Sequence, residues 1–322
     1  MPFESFILPR GSLSRGLLTL LIVSFLATGC NRCPPPFEPM ICYSPPLQQI
    51  KSLPTPFPPL KKEELQSLWG KELYLGTRFV EEGDWYRAIT AFKSSYFLMP
   101  KRESKRREQV EFYLFLSYYF ASKYKEAVKT YEDSDTLCFV TQDFPAFKEL
   151  KIALWESYSK ICRFEKADLT LSELPEELQS ELTVSEAIRT GDMCLLNEYA
   201  LEEPVNALLW DFKDCMKSPK KAEFLQAALP GAGYLYVGQS KAALTSFIIN
   251  ALFIAAGIEF WQRGYYAASL ITFSLETGWY FGGINGAGLA AAEYNERLYE
   301  NLGKETLICN KMFPIFKFDV AF

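Results

Sequence analysis

The chain contains no histidine, and its acidic residues outnumber its basic ones. Of 322 residues, 39 are Asp or Glu and 34 are Lys or Arg, which gives a formal net charge of −5. Without histidine, the commonest general base, the commonest metal ligand and every Ser–His or Cys–His nucleophile pair are missing. A protein that binds nucleic acid would normally carry a basic excess. The composition therefore argues against an enzyme and against nucleic-acid binding, and it indicates no cofactor.

Cysteine pairs that recur at the spacing of a zinc site are also missing. The chain has eight cysteines, and their positions predict no structural metal site. Cys33 and Cys42 could close a small loop in an oxidising compartment. We expect most of the other cysteines to be buried as small hydrophobic side chains.

The amino terminus has the pattern of a secretory signal peptide, residues 1–29. Two arginines precede an apolar run, residues 17–27, which is too short to span a bilayer comfortably. The run ends at Thr28-Gly29-Cys30, which resembles the lipobox of bacterial lipoproteins, although Ala27 stands where that family usually has Leu. The resemblance implies that Cys30 is acylated and anchors the protein to a membrane of the cell envelope. The alternatives are an ordinary signal anchor and a signal peptide that is cut elsewhere.

The next segment, residues 30–62, is rich in proline, with ten prolines between Asn31 and Leu60. Such a run predicts an extended, semi-rigid polyproline spacer without helix. A proline motif that binds a partner domain is the alternative. By resemblance to lipoprotein sorting rules, Asn31 is not an inner-membrane retention signal, which weakly favours the outer membrane.

Residues 63–218 are rich in helix-forming and aromatic residues, and one stretch resembles a tetratricopeptide repeat closely. It has the Leu-Gly, aromatic, turn-Gly, aromatic, Ala, Phe and closing Pro landmarks at Leu75, Gly76, Phe79, Gly83, Trp85, Ala88, Phe92 and Pro100. Two weaker copies have landmarks at Tyr124, Ala127 and Tyr131, and at Phe164 and Ala167. The resemblance implies a solenoid of stacked helical hairpins, with residues 173–215 as a fourth hairpin or a cap.

The concave face of tetratricopeptide domains binds peptides or partner proteins, so the resemblance implies other envelope proteins or peptides as partners. Tyrosines of the second copy are candidates for that face, and the alternative is that they form hairpin core: Tyr113, Tyr118, Tyr119, Tyr124 and Tyr131. The basic cluster at residues 101–107 is interrupted by Glu103. We interpret that cluster as a solvated loop and helix start.

Residues 219–302 predict an apolar helical hairpin that associates with a membrane. Two long apolar segments each contain a single acid, Glu259 in the first and Glu276 in the second, and twenty apolar residues suffice to cross a bilayer. If buried, both acids would face the interior of the bundle. The segment resembles the Pro-Gly-x-Gly-x-x-Tyr-x-Gly membrane domain of many bacterial repeat lipoproteins of unknown function. The residues of that motif are Pro230, Gly231, Gly233, Tyr236, Gly238, Trp279, Tyr280, Asn285 and Asn295.

Residues 303–322 alternate apolar and polar side chains near their end, which predicts a short terminal strand or a loose tail. Together these features predict an all-α chain: a tetratricopeptide-like solenoid and then an apolar hairpin, preceded by a signal peptide and a linker. The predicted function is a scaffold that holds other proteins at an envelope membrane, inner or outer. The alternative is an integral membrane channel or transport component in which Glu259 and Glu276 are functional and the repeats are regulatory.

Overall fold

The computed structural model describes residues 37–322, which are helical and contain no β-strand. The all-α prediction is confirmed for this part of the chain. Residues 1–36, and with them the predicted signal peptide, Cys30 and Cys33, lie outside the described residues. The chain divides into two units. The apolar unit comprises Lys217–Glu293 (with Phe37), and the large unit comprises Glu38–Met216 and Tyr294–Phe322.

The large unit is built mainly from helices that pair along the chain. Two short helices come first, and four helix pairs and a further helix follow: α1 Leu47–Ser52, α2 Lys62–Gln66, α3 Leu68–Glu82, α4 Trp85–Leu98, α5 Ser104–Phe120, α6 Tyr124–Glu132, α7 Phe147–Lys160, α8 Phe164–Leu171, α9 Glu176–Thr190, α10 Met193–Glu198 and α11 Val205–Cys215. From α3 to α8 each helix packs on the next one in sequence. The core of the large unit therefore runs continuously through successive hairpins.

The four helix pairs share one turn. One or two residues after the first helix, a residue has a left-handed backbone, with φ of 76° at Gly83, 57° at Ser122, 59° at Cys162 and 69° at Gly191. The next N–H then donates to the carbonyl five residues earlier: Asp84 to Phe79, Lys123 to Tyr118, Arg163 to Tyr158 and Asp192 to Ala187. This bond satisfies a carbonyl that the end of the helix leaves open. The same turn thus starts the second helix of every pair.

The first hairpin is held together by a close approach of its two helices. Phe92 and Ala88 on α4 are fully buried, and the ring of Phe92 lies so near Gly76 on α3 that a Cβ there would overlap it. The hydroxyl of Ser95 donates to the carbonyl of Trp69 at 2.9 Å. The small residue on α3 therefore sets the distance between the helices. Ala127 and Ala167 are likewise buried at the corresponding places of the next two hairpins.

The described part of the proline-rich segment is not the extended spacer that we predicted. Residues 47–52, which contain no proline, form α1 directly after Pro46. Ile41, Ile50 and Phe57 are buried in the core of the large unit. The prediction was wrong because it rested on the missing N–H groups of the prolines alone. It did not consider the apolar side chains between them, whose burial is favourable.

The predicted terminal strand or loose tail is also wrong. Pro314–Lys317 form a 3₁₀ turn, and the segment 312–322 (the tail segment) packs into the core of the large unit. The N–H of Ala321 donates to the carbonyl of Pro54 at 3.0 Å. The apolar residues of the alternation that suggested a strand, among them Phe316, Phe318 and Val320, instead pack in or against the core.

The apolar unit contains two short helices, α12 Pro219–Ala228 and α13 Ala232–Tyr236, and a long helical hairpin. The two arms of the hairpin are α14, Ser240–Gln262, and α15, Tyr266–Cys309. The part of α15 from Tyr294 onward belongs to the large unit. The hydroxyl of Ser269 donates to the carbonyl of Gly257 at 2.8 Å and fixes the register of the two arms. A Cβ on Gly257 would overlap the ring of Phe273. The predicted hairpin of residues 219–302 is therefore helical.

Candidate functional site

The tyrosines of α5 do not form an open face. Tyr113 is fully buried, and Tyr118 and Tyr119 are nearly so. The Tyr113 hydroxyl shares a hydrogen bond of 2.6 Å with Thr55, and its ring packs on Phe57 and Phe322. These tyrosines are therefore part of the core, covered by the chain's own segments.

The tail segment crosses the first helices of three successive pairs. Phe318 packs its ring on Tyr119 of α5, the N–H of Asp319 donates to Glu149 of α7 at 2.9 Å, and Lys317 pairs with Glu181 of α9 at 2.5 Å. A peptide bound along this face would have to displace the tail segment. A surface of the large unit that a partner can reach without displacing the tail segment therefore lies outside this face.

A cavity of about 390 Å³ remains open in the large unit. It lies where the first two turns, at Gly83 and Ser122, meet residues 43–50 and residues 313–315. Six of the side chains that line it are aromatic: Tyr43, Trp85, Tyr119, Phe120, Tyr124 and Phe313. Its charged lining residues are Glu82, Glu156 and Arg189. We call this space the aromatic cavity.

A buried network forms one wall of the aromatic cavity. The hydroxyl of Tyr119 donates to Oε2 of Glu156, and Nη2 of Arg189 donates to Oε1 of the same carboxylate at 2.7 Å. Nη1 of Arg189 lies 3.1 Å from Oε2 of Glu186, but Nε and Nη1 form no hydrogen bond within the described residues. The Arg189 side chain is only 5% exposed. An arginine that is buried so deeply beside two carboxylates stays charged.

Burial and the charge of Glu156 shift the pKa values of the two tyrosines in this wall in the same direction. Burial, and then the charge of Glu156, raise the pKa of Tyr119 well above its usual value. Burial and Glu156 raise the pKa of Tyr124 as well. Both phenols therefore stay protonated at neutral pH, and Tyr119 remains a hydrogen-bond donor to Glu156.

Sequence reasoning proposed Tyr119 and Tyr124 but missed Glu156 and Arg189. The two lie 33 residues apart on α7 and α9, and nothing in the sequence pairs them. A signal was available only for Glu156, which lies one helical turn after the buried residues Ile152 and Ala153. Phe164, predicted as a repeat landmark, is exposed.

The two acids of the apolar hairpin differ in their surroundings. Glu259 is exposed near the tip and pairs with Arg263 at 2.5 Å, so it does not face an interior. Glu276 is 7% exposed, and its Oε2 has no hydrogen-bond partner within the described residues. Asn250 on α14 is also buried with an unpartnered Oδ1. Two helical turns separate Asn250 from Gly257 and Glu276 from Ser269, so the two side chains lie at the same level of the hairpin.

The glycine motif makes turns and close contacts within the apolar unit. Gly231 and Gly238 have positive φ, 95° and 88°. The N–H of Gly231 donates to Oε1 of Gln226 at 2.9 Å, and Nε2 of Gln226 donates to the hydroxyl of Ser246 at 2.9 Å. A Cβ on Gly233 would overlap the carbonyl of Ala222. The motif thus joins α12 to α14.

The remaining motif residues surround these contacts or lie on the long helix. Tyr236 accepts a hydrogen bond from the N–H of Ser218 at 3.2 Å, and Tyr280 donates to the carbonyl of Ala227 at 2.5 Å. Trp279 is exposed. Asn285 is exposed and Asn295 is buried.

The packing of α14 is inverted relative to a soluble helix. Its buried positions are small or polar, Ala243, Ser246, Asn250 and Gly257, while its large side chains are exposed. The exposed ones are Leu244, Phe247, Ile248, Leu252, Ile254, Ile258, Phe260 and Trp261. With a mean hydropathy of 1.8, α14 is the one helix of residues 37–322 that is long and apolar enough to cross a membrane. We predicted two segments that could cross a membrane, and among the described residues only α14 is long and apolar enough.

The described cysteines are mostly at the surface. Cys42, Cys162, Cys194, Cys215 and Cys309 are exposed and Cys138 is half-buried, so the expectation of buried thiols was wrong. Among the described residues no group of three or more Cys, Asp or Glu is placed to hold a metal ion.

Compared with known proteins, the chain matches no protein-family model, no curated protein and no solved structure.

Proposed function

We propose that the protein is a membrane-anchored scaffold: the apolar hairpin inserts into a bilayer and the large unit binds other proteins. The observation that carries the proposal is the inverted packing of α14. Burying one large apolar side chain is worth about 1.5–3 kcal/mol, and a water-exposed helix with eight of them would be an extensive apolar patch. Lipid hydrocarbon is the solvent that matches this surface.

The dimensions of the hairpin support insertion. At 1.5 Å per residue, the 23 residues of α14 extend about 34 Å, against about 30 Å for a hydrocarbon core. The tip carries Trp261, Tyr265 and Tyr266. Aromatic residues concentrate at membrane interfaces in this way. The small and polar stripe between the arms suits helix contact in lipid.

We further propose that the large unit is a tetratricopeptide-like solenoid. The recurring left-handed turn, the sequential packing of α3–α8 and the contact between Gly76 and Phe92 support this assignment. Acylation of Cys30 would hold the large unit at a bacterial membrane, inner or outer, so that it faces the periplasm. No enzymatic activity is part of this proposal.

Membrane insertion is tested by alkaline-carbonate extraction of wild type, Cys30→Ala and the double variant Leu244→Glu/Leu252→Glu. Each carboxylate placed in lipid costs about 2.5–3.5 kcal/mol, so the double variant in the Cys30→Ala background is expected to become soluble while Cys30→Ala alone stays integral. Leu201→Glu, at a position that is 94% exposed in the large unit, is the matched control. Release of Cys30→Ala alone would show that the lipid is the only anchor, and would overturn insertion.

Binding of other proteins is tested by cross-linking in intact cells. A photoreactive residue at Tyr86, which is exposed on α4, is expected to capture a protein of the envelope. The same residue at Leu201 is the control for non-specific capture. A chain that cross-links to nothing from either position, while remaining folded and membrane-bound, would overturn the scaffold.

A membrane channel or transport component is the second candidate, because Asn250 and Glu276 place buried polar atoms without partners in the hairpin. It is tested by ion flux from liposomes that contain the protein. If this function holds, Glu276→Gln abolishes flux and Glu259→Gln does not. Flux that equals that of empty liposomes would exclude it.

A further inference from the structure

The charge around the aromatic cavity is negative. Arg189 is its only basic lining residue among those described, and that guanidinium lies between Glu156 and Glu186, at 2.7 and 3.1 Å. The three groups together carry one negative charge. Glu82 lies at the rim, where it is largely exposed and its Oε2 lies 3.7 Å from Nη2 of Arg87. An anion entering the cavity would be repelled, and a cation would be attracted.

The walls of the aromatic cavity add a second attraction for cations. Tyr43 and Phe313 stack with ring centroids 4.8 Å apart, and Trp85 and Phe120 stack at 5.4 Å. Stacking fixes these rings, and the faces of aromatic rings attract ammonium and guanidinium groups. The large unit already uses this interaction elsewhere, since the guanidinium of Arg107 lies 3.9 Å from the ring centroid of Tyr96.

The size of the cavity limits what can enter. Its volume of about 390 Å³ is at the low end of the range for small-ligand sites, and it accommodates one long side chain. Ser44, Ser122 and Glu82 at its lining offer hydrogen-bond acceptors to a group with several N–H donors. A guanidinium or ammonium on a flexible apolar stem has this combination of properties.

We propose that the aromatic cavity binds the side chain of an arginine or lysine presented by a partner protein. The proposal rests on the scaffold function and adds to it the chemistry of the partner: an exposed basic residue on a flexible segment. Glu156, Arg189 and Glu186 together supply the net negative charge, Tyr119 and Arg189 hold Glu156 in place, and the aromatic rings enclose the apolar stem. The tail segment itself forms part of the cavity wall through residues 313–315.

The test uses the full chain in detergent micelles and follows the indole N–H of Trp85 by NMR, with Trp85→Phe to assign the signal. The probes are acetyl-Gly-Arg-Gly-amide, its isosteric uncharged analogue with citrulline in place of arginine, and agmatine as a free amine. The arginine peptide is expected to bind at least about tenfold more tightly than the citrulline peptide, and added salt should weaken its binding.

Two variants locate the site. Glu156→Gln removes the charge with little change of shape and is expected to weaken the arginine peptide about tenfold. Because that change could also destabilise the buried network, Glu82→Gln at the exposed rim serves as the second variant, with an expected loss of about two- to fivefold. Glu126→Gln, exposed on α6 and outside the cavity lining, should bind as wild type does.

Three results would overturn the proposal: equal binding of the arginine and citrulline peptides, no binding, or unchanged binding in both cavity variants. Tighter binding of agmatine than of the peptide would assign the site to a free amine and overturn the partner side chain. The proposed scaffold function is tested by a different measurement. If photo-cross-linking captures nothing while the arginine peptide still binds, the scaffold is wrong and the cation site stands.

Discussion

Arg106 binds Glu64 through two parallel hydrogen bonds, from Nε to Oε1 at 3.0 Å and from Nη2 to Oε2 at 2.9 Å. Its remaining three N–H groups donate to the carbonyls of Pro58 and Pro59 and to Oε1 of Gln109. All five donors of the guanidinium are therefore used. Proline has no N–H but keeps its carbonyl, and in this way the proline-rich segment is joined to α5.

Removing this guanidinium should destabilise the large unit. We expect Arg106→Ala to lower the free energy of unfolding by about 3 kcal/mol, because it removes the donors to two proline carbonyls and leaves the Glu64 carboxylate with only the N–H of Lys61. Arg106→Lys should retain only a minor part of the stability lost in Arg106→Ala, because an ammonium group cannot form two parallel hydrogen bonds with a carboxylate. Chemical unfolding followed by circular dichroism measures both. Arg102→Ala, at an exposed neighbour, is the control, and an equal loss there would contradict the interpretation.

The same contact predicts how stability depends on acid. The hydrogen bond from Arg106 lowers the pKa of Glu64 below its ordinary value of 4.5. A carboxylate with a lowered folded-state pKa stabilises the fold above its unfolded pKa, and that contribution is lost as the pH falls through the folded pKa. Wild type should therefore exceed Glu64→Gln in stability at pH 7, and the difference should shrink below about pH 4.5. Urea titrations at several pH values measure it, and a difference independent of pH would contradict the prediction.

The shared left-handed turn predicts substitutions of opposite sign. Cys162 has φ of 59°, where a side chain is strained and glycine is not, so Cys162→Gly should stabilise the large unit by up to about 1 kcal/mol. Gly83→Ala, at φ of 76°, should destabilise it by about 1–2 kcal/mol. Thermal unfolding of the two variants beside wild type measures both effects. The prediction fails if the two shift the melting temperature in the same direction.

The contact between Gly76 and Phe92 predicts coupling between two substitutions. Gly76→Ala adds a Cβ that would overlap the Phe92 ring, and we expect a loss of about 1–3 kcal/mol, as for overpacking of a core. Phe92→Leu alone also destabilises, but the double variant should lose less than the sum, because the smaller side chain makes room. A double-mutant cycle measures the coupling, and additivity of the two losses would contradict the proposed contact.

In the apolar hairpin, the two glutamates should respond differently to neutralisation. Glu276→Gln supplies an N–H donor at the level of the unpartnered Oδ1 of Asn250, so the variant should resist unfolding in detergent at least as well as wild type. Glu276→Ala leaves that oxygen without a donor and should be less stable than Glu276→Gln. Glu259→Gln breaks only an exposed ion pair and should change little. If Glu276→Ala and Glu276→Gln melt alike, the two side chains do not interact.

The sequence predicted the elements whose signals are local. Gly83 indicates the first turn in the sequence because glycine readily adopts a positive φ. In the next two hairpins the same position of the turn is occupied by Ser122 and Cys162, which do not indicate a turn. The covering segments and the aromatic cavity were missed because they depend on contacts between distant residues, such as Ala321 with Pro54 and Arg189 with Glu156. The sequence predicted that Arg106 is solvated because most residues around it are charged, whereas most of its hydrogen-bond partners come from residues 58–64.

The position of the tail segment also sets an order of events during synthesis. Residues 312–321 complete the core of the large unit, yet they follow the apolar unit in the chain. At about 5–20 residues per second, roughly a hundred residues must be made between the end of α11 and this segment, which takes about 5–20 s. During that interval α5 lacks part of its cover, and the two arms of the apolar hairpin are themselves being made. If the hairpin inserts into a bilayer as proposed, α14 is therefore available for insertion before the tail segment closes the large unit.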